Sequence, residues 1–197
     1  MKKIGILHYG SGNIASLINV LIEFDVFPII VDSEIDLLQF DMLILPGVGT
    51  YNVAMDFLHS KKLIKQVKKF SESGKPILGI CLGMHILSKY GDEGGGTMGL
   101  DLIQGRVIKA EFDNHTGWSN IIENQSMRNP LIRCFYFNHE YIYEDSDHKV
   151  GWVNYKSKNI ISIVKNVNII GVQFHPENSQ NEGKLFFREL FLEYFGN

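Results

Sequence analysis

The sequence predicts an α/β fold, with a mostly parallel central sheet flanked by helices and an antiparallel extension. Three features of its 197 residues lead there. Short aliphatic runs alternate with helical spacing through the first half, the pattern of strands joined by crossover helices. The second half changes to short strands separated by polar turns. Between the two lies a glycine-flanked cysteine where a buried strand gives way to a helix. With 45% hydrophobic residues the chain supports a full core, expected as a single domain over 1–197.

The first strand is expected over 3–7, broken by Gly10-Ser11-Gly12-Asn13. Ile14, Leu17, Ile18, Leu21 and Ile22 then recur at helical spacing. Strands follow over 27–31 and 42–45, the latter ending in Pro46-Gly47-Val48-Gly49. Helices over 51–58 and 63–70 lead to Ser73-Gly74-Lys75-Pro76 and the strand at 77–80. The run Gly91-Asp92-Glu93-Gly94-Gly95-Gly96 reads as a surface loop. Short strands are expected at 107–110, 133–137, 141–143, 149–153, 160–164 and 169–174. A last helix over 182–195 carries Leu185, Phe186, Leu190 and Phe191 on one face.

A net charge of -3 gives no footprint for nucleic acid or an anionic membrane surface. The apolar start of the chain ends at His8-Tyr9-Gly10, too early for a signal sequence. No run is long enough to span a bilayer, so a cytoplasmic protein is expected. Cys81 and Cys134 lie far apart without C-x-x-C spacing, so neither a disulfide framework nor a zinc ribbon is expected. Cys134, in an apolar strand, reads as buried and inert. His59, His115 and His148 show no ligand spacing, and no metal site or cofactor is expected. Gly10-Ser11-Gly12-Asn13 lacks the third glycine of a dinucleotide loop and reads as a tight turn.

Gly79-x-Cys81-x-Gly83 is the thiol form of a nucleophile elbow. The turn lifts a side chain out of the sheet, and the helix after it aims its positive end at the sulfur. A lone cysteine is more often a small buried hydrophobe, but that role needs no glycine two residues to either side. Pro46-Gly47-Val48-Gly49 ends a parallel strand, on the edge where open α/β sheets place their sites. It is either an ordinary turn or, with the N–H of Leu82, an oxyanion hole built from Val48 and Gly49. His175 and Glu177, two apart at a strand end, would leave on the same side, giving a base and its orienter. Cys81, His175 and Glu177 then complete a catalytic triad.

The elbow Gly79 to Met84, the Pro46-Gly47-Val48-Gly49 loop and Phe174-His175-Pro176-Glu177 resemble the class I glutamine amidotransferases. Asn13, His115-Thr116-Gly117-Trp118, Phe135-Tyr136-Phe137-Asn138-His139 and Ser179-Gln180 narrow this to the glutaminase subunits of imidazole glycerol phosphate synthases, over essentially the whole chain. The resemblance implies a flavodoxin-like fold, glutamine as substrate, and ammonia delivered to a separate (β/α)8 cyclase in histidine biosynthesis. It also implies substrate contacts at Gly47, His85, Glu93, His139, Glu140 and Tyr141, and a partner surface at Asn13, Trp118, Tyr136 and Asn178.

Four positions depart from that pattern. His85 follows Met84 where the family has glutamine, Glu140 stands where a small hydroxyl residue sits, Asn178 replaces a lysine, and His8 an aspartate. Such substitutions also fit a paralogous glutaminase that feeds an enzyme aminating surface-polysaccharide sugars. A catalytically silent regulatory subunit is the reading of another class, and the intact triad argues against it.

Overall fold

In the computed structural model, which describes residues 1–9, 14–123 and 132–196, strand β1 (Lys2–Leu7) lies between β2 (Val26–Val31) and β3 (Met42–Leu45), all parallel. Helix α1 (Ala15–Leu21) makes the first crossover, turning Leu17, Val20 and Leu21 inward. Helices α2 (Tyr51–Ser60) and α3 (Leu63–Glu72) connect β3 to its parallel neighbour β4 (Ile77–Ile80). All four residues of β3 and of β4 are buried, as expected of strands covered on both faces. Short helix α4 (Leu82–Ile86) begins directly after Cys81.

The antiparallel part is larger than the sequence pattern indicates. Strands β5 (Tyr90–Gly91), β6 (Thr97–Met98) and β7 (Arg106–Lys109) precede the long β8 (His115–Glu123) and β9 (Ile132–His139). Then come β10 (Tyr141–Tyr143), β11 (Lys149–Tyr155), β12 (Lys158–Asn166), β13 (Ile169–Val172) and helix α5 (Gln180–Phe195). The main sheet runs β2-β1-β3-β4-β13-β12-β11-β8-β9, and a second sheet runs β10-β7-β5-β6. The parallel half has the 2-1-3-4-5 order of doubly wound folds, with β13 as its fifth strand.

The 91–96 segment is not the free surface loop its glycines indicate. Gly91 is buried in β5 and Glu93 to Gly95 form a 3-10 turn. The Glu93 carboxylate accepts the Tyr51 N–H at 2.8 Å, which ties the segment to the start of α2. Cys134 is half-buried rather than enclosed. The loop 10–13, including Asn13, lies outside the described residues.

Two apolar layers fill the faces of the sheet. One, under α2 and α3, is built on Leu43, Leu45, Tyr51, Leu58, Val67 and Phe70. The other, under α1 and α5, is built on Ile4, Ile6, Leu78, Ile80, Phe187 and Phe191. Phe135 and Phe174 stack at 3.9 Å between ring centroids, joining the second layer to the extension. No helix among the described residues is long and apolar enough to cross a membrane.

The extension also reaches back to the carboxyl end of the parallel strands. His175, three residues beyond β13, donates its N–H to the Tyr136 carbonyl on β9 at 2.8 Å. The first described face of the site thus comes from β4 and β13, and the second from the returning edge strand β9.

Candidate active site

Cys81 has φ 46 and ψ -103, a backbone conformation that side-chain-bearing residues rarely adopt and that costs about 1–3 kcal/mol. The rest of the elbow holds it there. The Cys81 N–H donates to the Val172 carbonyl at 2.7 Å, extending the β4–β13 ladder one residue past the strand. A Cβ on Gly83 would lie 1.8 Å from the Leu45 carbonyl oxygen, and one on Gly79 2.6 Å from the Gly83 oxygen. Both glycines are therefore required by close backbone contact, the reason the elbow pattern indicates.

Cys81 borders a cavity of about 420 Å³ together with Gly47, Gly49, Leu82 and His175. Gly47 packs so tightly that a Cβ there would stand 2.8 Å from His175 Cε1 and 2.9 Å from Cys81 Cβ. His175 Nδ1 lies 2.8 Å from Glu177 Oε1, so the ring donates from Nδ1 and leaves Nε2 for the Cys81 sulfur beside it. This pairing is made across the 3-10 turn Pro176–Asn178, since β13 ends at Val172; strand alternation is not what aligns the two side chains. Burial opposes a charged His175. The Cys81 sulfur and the Glu177 carboxylate nevertheless hold it well above the ordinary histidine range.

The Pro46 to Gly49 loop runs along the cavity wall. Gly49 has φ 95, a conformation open to glycine, and Val48 packs against the core layer that contains Cys81. Leu82 is the first residue of α4, where N–H groups have no partner within the helix.

A match to the family model "Glutamine amidotransferase class-I" extends over residues 6–193. The chain belongs to the class I glutamine amidotransferases. It is 38% identical, over 95% of its length and 97% of the relative's, to the imidazole glycerol phosphate synthase subunit HisH of Methanosarcina mazei. To subunit HisH 1 of Legionella pneumophila (strain Paris) it is 32% identical, over 93% of this chain and 95% of the other. Among solved structures, a chain of PurLQS from Thermotoga maritima superposes with a TM-score of 0.79 at 20% identity. That superposition covers 99% of this chain and all of the other, a likeness of fold.

The amidotransferase cavity also takes in the other pocket residues marked by the resemblance: His85, Glu93, His139, Glu140 and Tyr141. His85 is directed away from a free contact, since its Nε2 lies 2.8 Å from Gln173 Oε1. Burial lowers its pKa to about 4, with the Gln173 bond working against that shift and nearby His175 adding to it. Glu93 is raised by burial, lowered in part by the Tyr51 N–H, and raised again by Glu140. No arginine or lysine borders the cavity among the described residues.

His139 donates from Nδ1 to the Tyr141 carbonyl at 3.0 Å, which leaves its Nε2 to accept. His115 Nδ1, 3.1 Å away, is then the donor, and His115 Nε2 accepts the Ser119 hydroxyl at 2.8 Å. His115 is stacked between Phe137 and Tyr155, and burial lowers its pKa to about 4.

Of the residues marked for a partner surface, the described ones, Trp118, Tyr136 and Asn178, stand outside the cavity. Trp118 is 48% exposed and faces Tyr136 across the β8–β9 pair, their rings 6.1 Å apart. Asn178 is exposed on the turn after His175. Ser179 accepts the Tyr136 N–H at 3.0 Å and donates to the His175 carbonyl at 2.6 Å, so the turn after His175 is bolted to that strand.

Three site residues had no role assigned from sequence. Asn114 and Asn138 border the cavity, joined by an Nδ2–Oδ1 bond of 3.1 Å, and the Asn138 carbonyl lies 3.9 Å from the Cys81 sulfur. Gln173 is fully buried and its Nε2 lies 3.7 Å from the same sulfur. Asn138 and Gln173 sit inside segments whose pattern was recognised, but only the fold brings them to Cys81.

Proposed function

We propose that this chain is the glutaminase subunit of an imidazole glycerol phosphate synthase, acting as one domain in the cytoplasm. The observation that carries the reading is the placement of Cys81, on a strained elbow, against a His175 whose far nitrogen is held by Glu177 at 2.8 Å. The names of the relatives supply the pathway.

Glutamine enters with its carboxamide carbon over Cys81 and its α-ammonium group toward Glu93 and Glu140. His175 Nε2 takes the thiol proton as sulfur attacks, and the carbonyl oxygen becomes an oxyanion. N–H groups of the Val48–Gly49 loop and of Leu82 receive that charge. His175 returns the proton to the departing nitrogen, and ammonia leaves a γ-glutamyl thioester on Cys81. His175 then deprotonates water for attack on the thioester, which releases glutamate and restores the thiol. Glu177 keeps the imidazole in the tautomer both steps need and stabilises its charged form. Ammonia passes to a separate cyclase of (β/α)8 type, for which exposed Trp118, backed by half-buried Tyr136, offers an aromatic contact beside the catalytic turn.

The test mixes the purified chain with a histidine-pathway cyclase from the same source, glutamine and the ribonucleotide substrate. Glutamate and imidazole glycerol phosphate are expected in equal amounts, and both are lost in Cys81→Ala. Glutamate without the imidazole product would overturn the pathway assignment and leave the glutaminase. Neither product, with Cys81 unreactive to a glutamine-mimicking alkylator, would overturn both.

A further inference from the structure

We propose that Gln173 is a second donor to the Cys81 sulfur, and that His85 is a positioning residue which decides which end of the Gln173 carboxamide faces it. The inference rests on Cys81 being the nucleophile and adds two residues to its support.

The placement follows from the sheet. β4 and β13 run parallel with Ile80 opposite Val172, and the Cys81 N–H continues the ladder to the Val172 carbonyl. Position 173 is therefore the lateral neighbour of position 81, although the two are 92 residues apart in sequence. Gln173 is fully buried, with Nε2 3.7 Å from the sulfur and Oε1 2.8 Å from His85 Nε2.

A carboxamide has two ends of similar shape and opposite polarity. With NH2 toward Cys81 it stabilises a thiolate; turned over, its carbonyl would repel the thiolate and accept the thiol proton instead. The neighbouring Asn138 carbonyl, 3.9 Å from the sulfur, already favours the thiol, so the Gln173 end is the one that shifts the balance. His85 fixes the choice. Its Nε2–H donates to Oε1, which turns NH2 toward the sulfur. Both the neutral Nε2–H tautomer and the imidazolium donate in this way, so protonation of His85 leaves the orientation unchanged. The ionisable groups that border the cavity from other elements are His175, with Glu177 behind it, and Glu93, His139, Glu140 and Tyr141. None of these reaches the Gln173 amide in a hydrogen bond. His85 thus holds an internal partner at the position where the family resemblance places a substrate contact.

The experiment measures alkylation of Cys81 by iodoacetamide against pH, without glutamine, following the Cys81 peptide by mass spectrometry so that Cys134 does not contribute. In Gln173→Leu the curve is expected to move toward alkaline pH by about one unit, roughly a tenfold loss of rate on its acid limb. His85→Ala frees the amide to turn over and moves the curve the same way by a smaller amount, about threefold. His85→Gln, whose amide again offers a donor to Oε1, restores the parent curve. Gln173→Met, unbranched and close in volume, repeats the Gln173 test should the leucine variant fail to fold. An unmoved curve in the Gln173 variants overturns the proposal. So does a uniform fall at every pH, the mark of lost packing. If the parent chain shows the expected curves but releases no glutamate with its cyclase, the glutaminase reading fails while the amide's role stands.

Discussion

Gly47 is the residue against which the Cys81 and His175 side chains are set. Replacing it by alanine puts a methyl group within 3 Å of the His175 ring and the Cys81 Cβ. The ring must move, and displacements of about 1 Å at a catalytic pair cost roughly a hundredfold in rate. Gly47→Ala is expected to lose at least that much glutamate release while its melting temperature changes little, as activity and thermal melts together will test. The proposed triad was legible in sequence because its residues sit in short motifs of recognisable type and spacing: Cys81 between two glycines, His175 two before Glu177. Gln173 and Asn138 were not, because their contacts with Cys81 cross the sheet between segments distant in sequence. His85 was marked as a pocket residue, and its actual partner became visible only when β13 was placed beside β4.

At the scale of elements, α4 is held against the end of β3 by the absence of one side chain. A Cβ on Gly83 would overlap the Leu45 carbonyl oxygen, a rigid backbone atom with no rotamer to yield. Gly83→Ala should lower stability by about 3 kcal/mol or prevent folding, judged by denaturant midpoint. The pair of exposed Trp118 and half-buried Tyr136 makes the opposite prediction. Trp118→Ala should weaken cyclase binding by about 2 kcal/mol, measured by titration calorimetry, with the alkylation rate of Cys81 in the free chain unaltered. The central strands and long helices were readable from apolar periodicity, since they bury whole faces. Strand β8 was not, because its burial alternates weakly along His115–Glu123 and it draws its pairing from both neighbours. The two-residue strands β5 and β6 are too short to carry any period.

For the whole molecule, three buried histidines set an acid limit on stability. His85 and His115 are lowered from 6.5 to about 4 and His139 is lowered too, all by burial first. The unfolded chain binds all three protons near pH 6.5, while the folded chain binds those of His85 and His115 only near 4 and that of His139 well below 6.5, so stability present above 6.5 is lost as pH falls below it. His175 has the reverse sign: its raised pKa contributes fully below 6.5 and is lost as pH rises through its folded value. A melting temperature that declines between pH 6.5 and 4 is expected, with a shallower decline in His115→Phe, which keeps the stack on Phe137 and Tyr155.

The insertion of β13 between β4 and β12 sets a timetable for the ribosome. Until residues 169–172 have emerged, β4 is an edge strand, with three aliphatic side chains and an open ladder. Cys81 is by then long since made, but His175 does not yet exist and the Val172 carbonyl that holds the elbow is missing. A nascent chain of this protein is therefore sticky and chemically silent for most of its synthesis, and a message truncated before β13 yields a product prone to aggregate and unable to turn over glutamine.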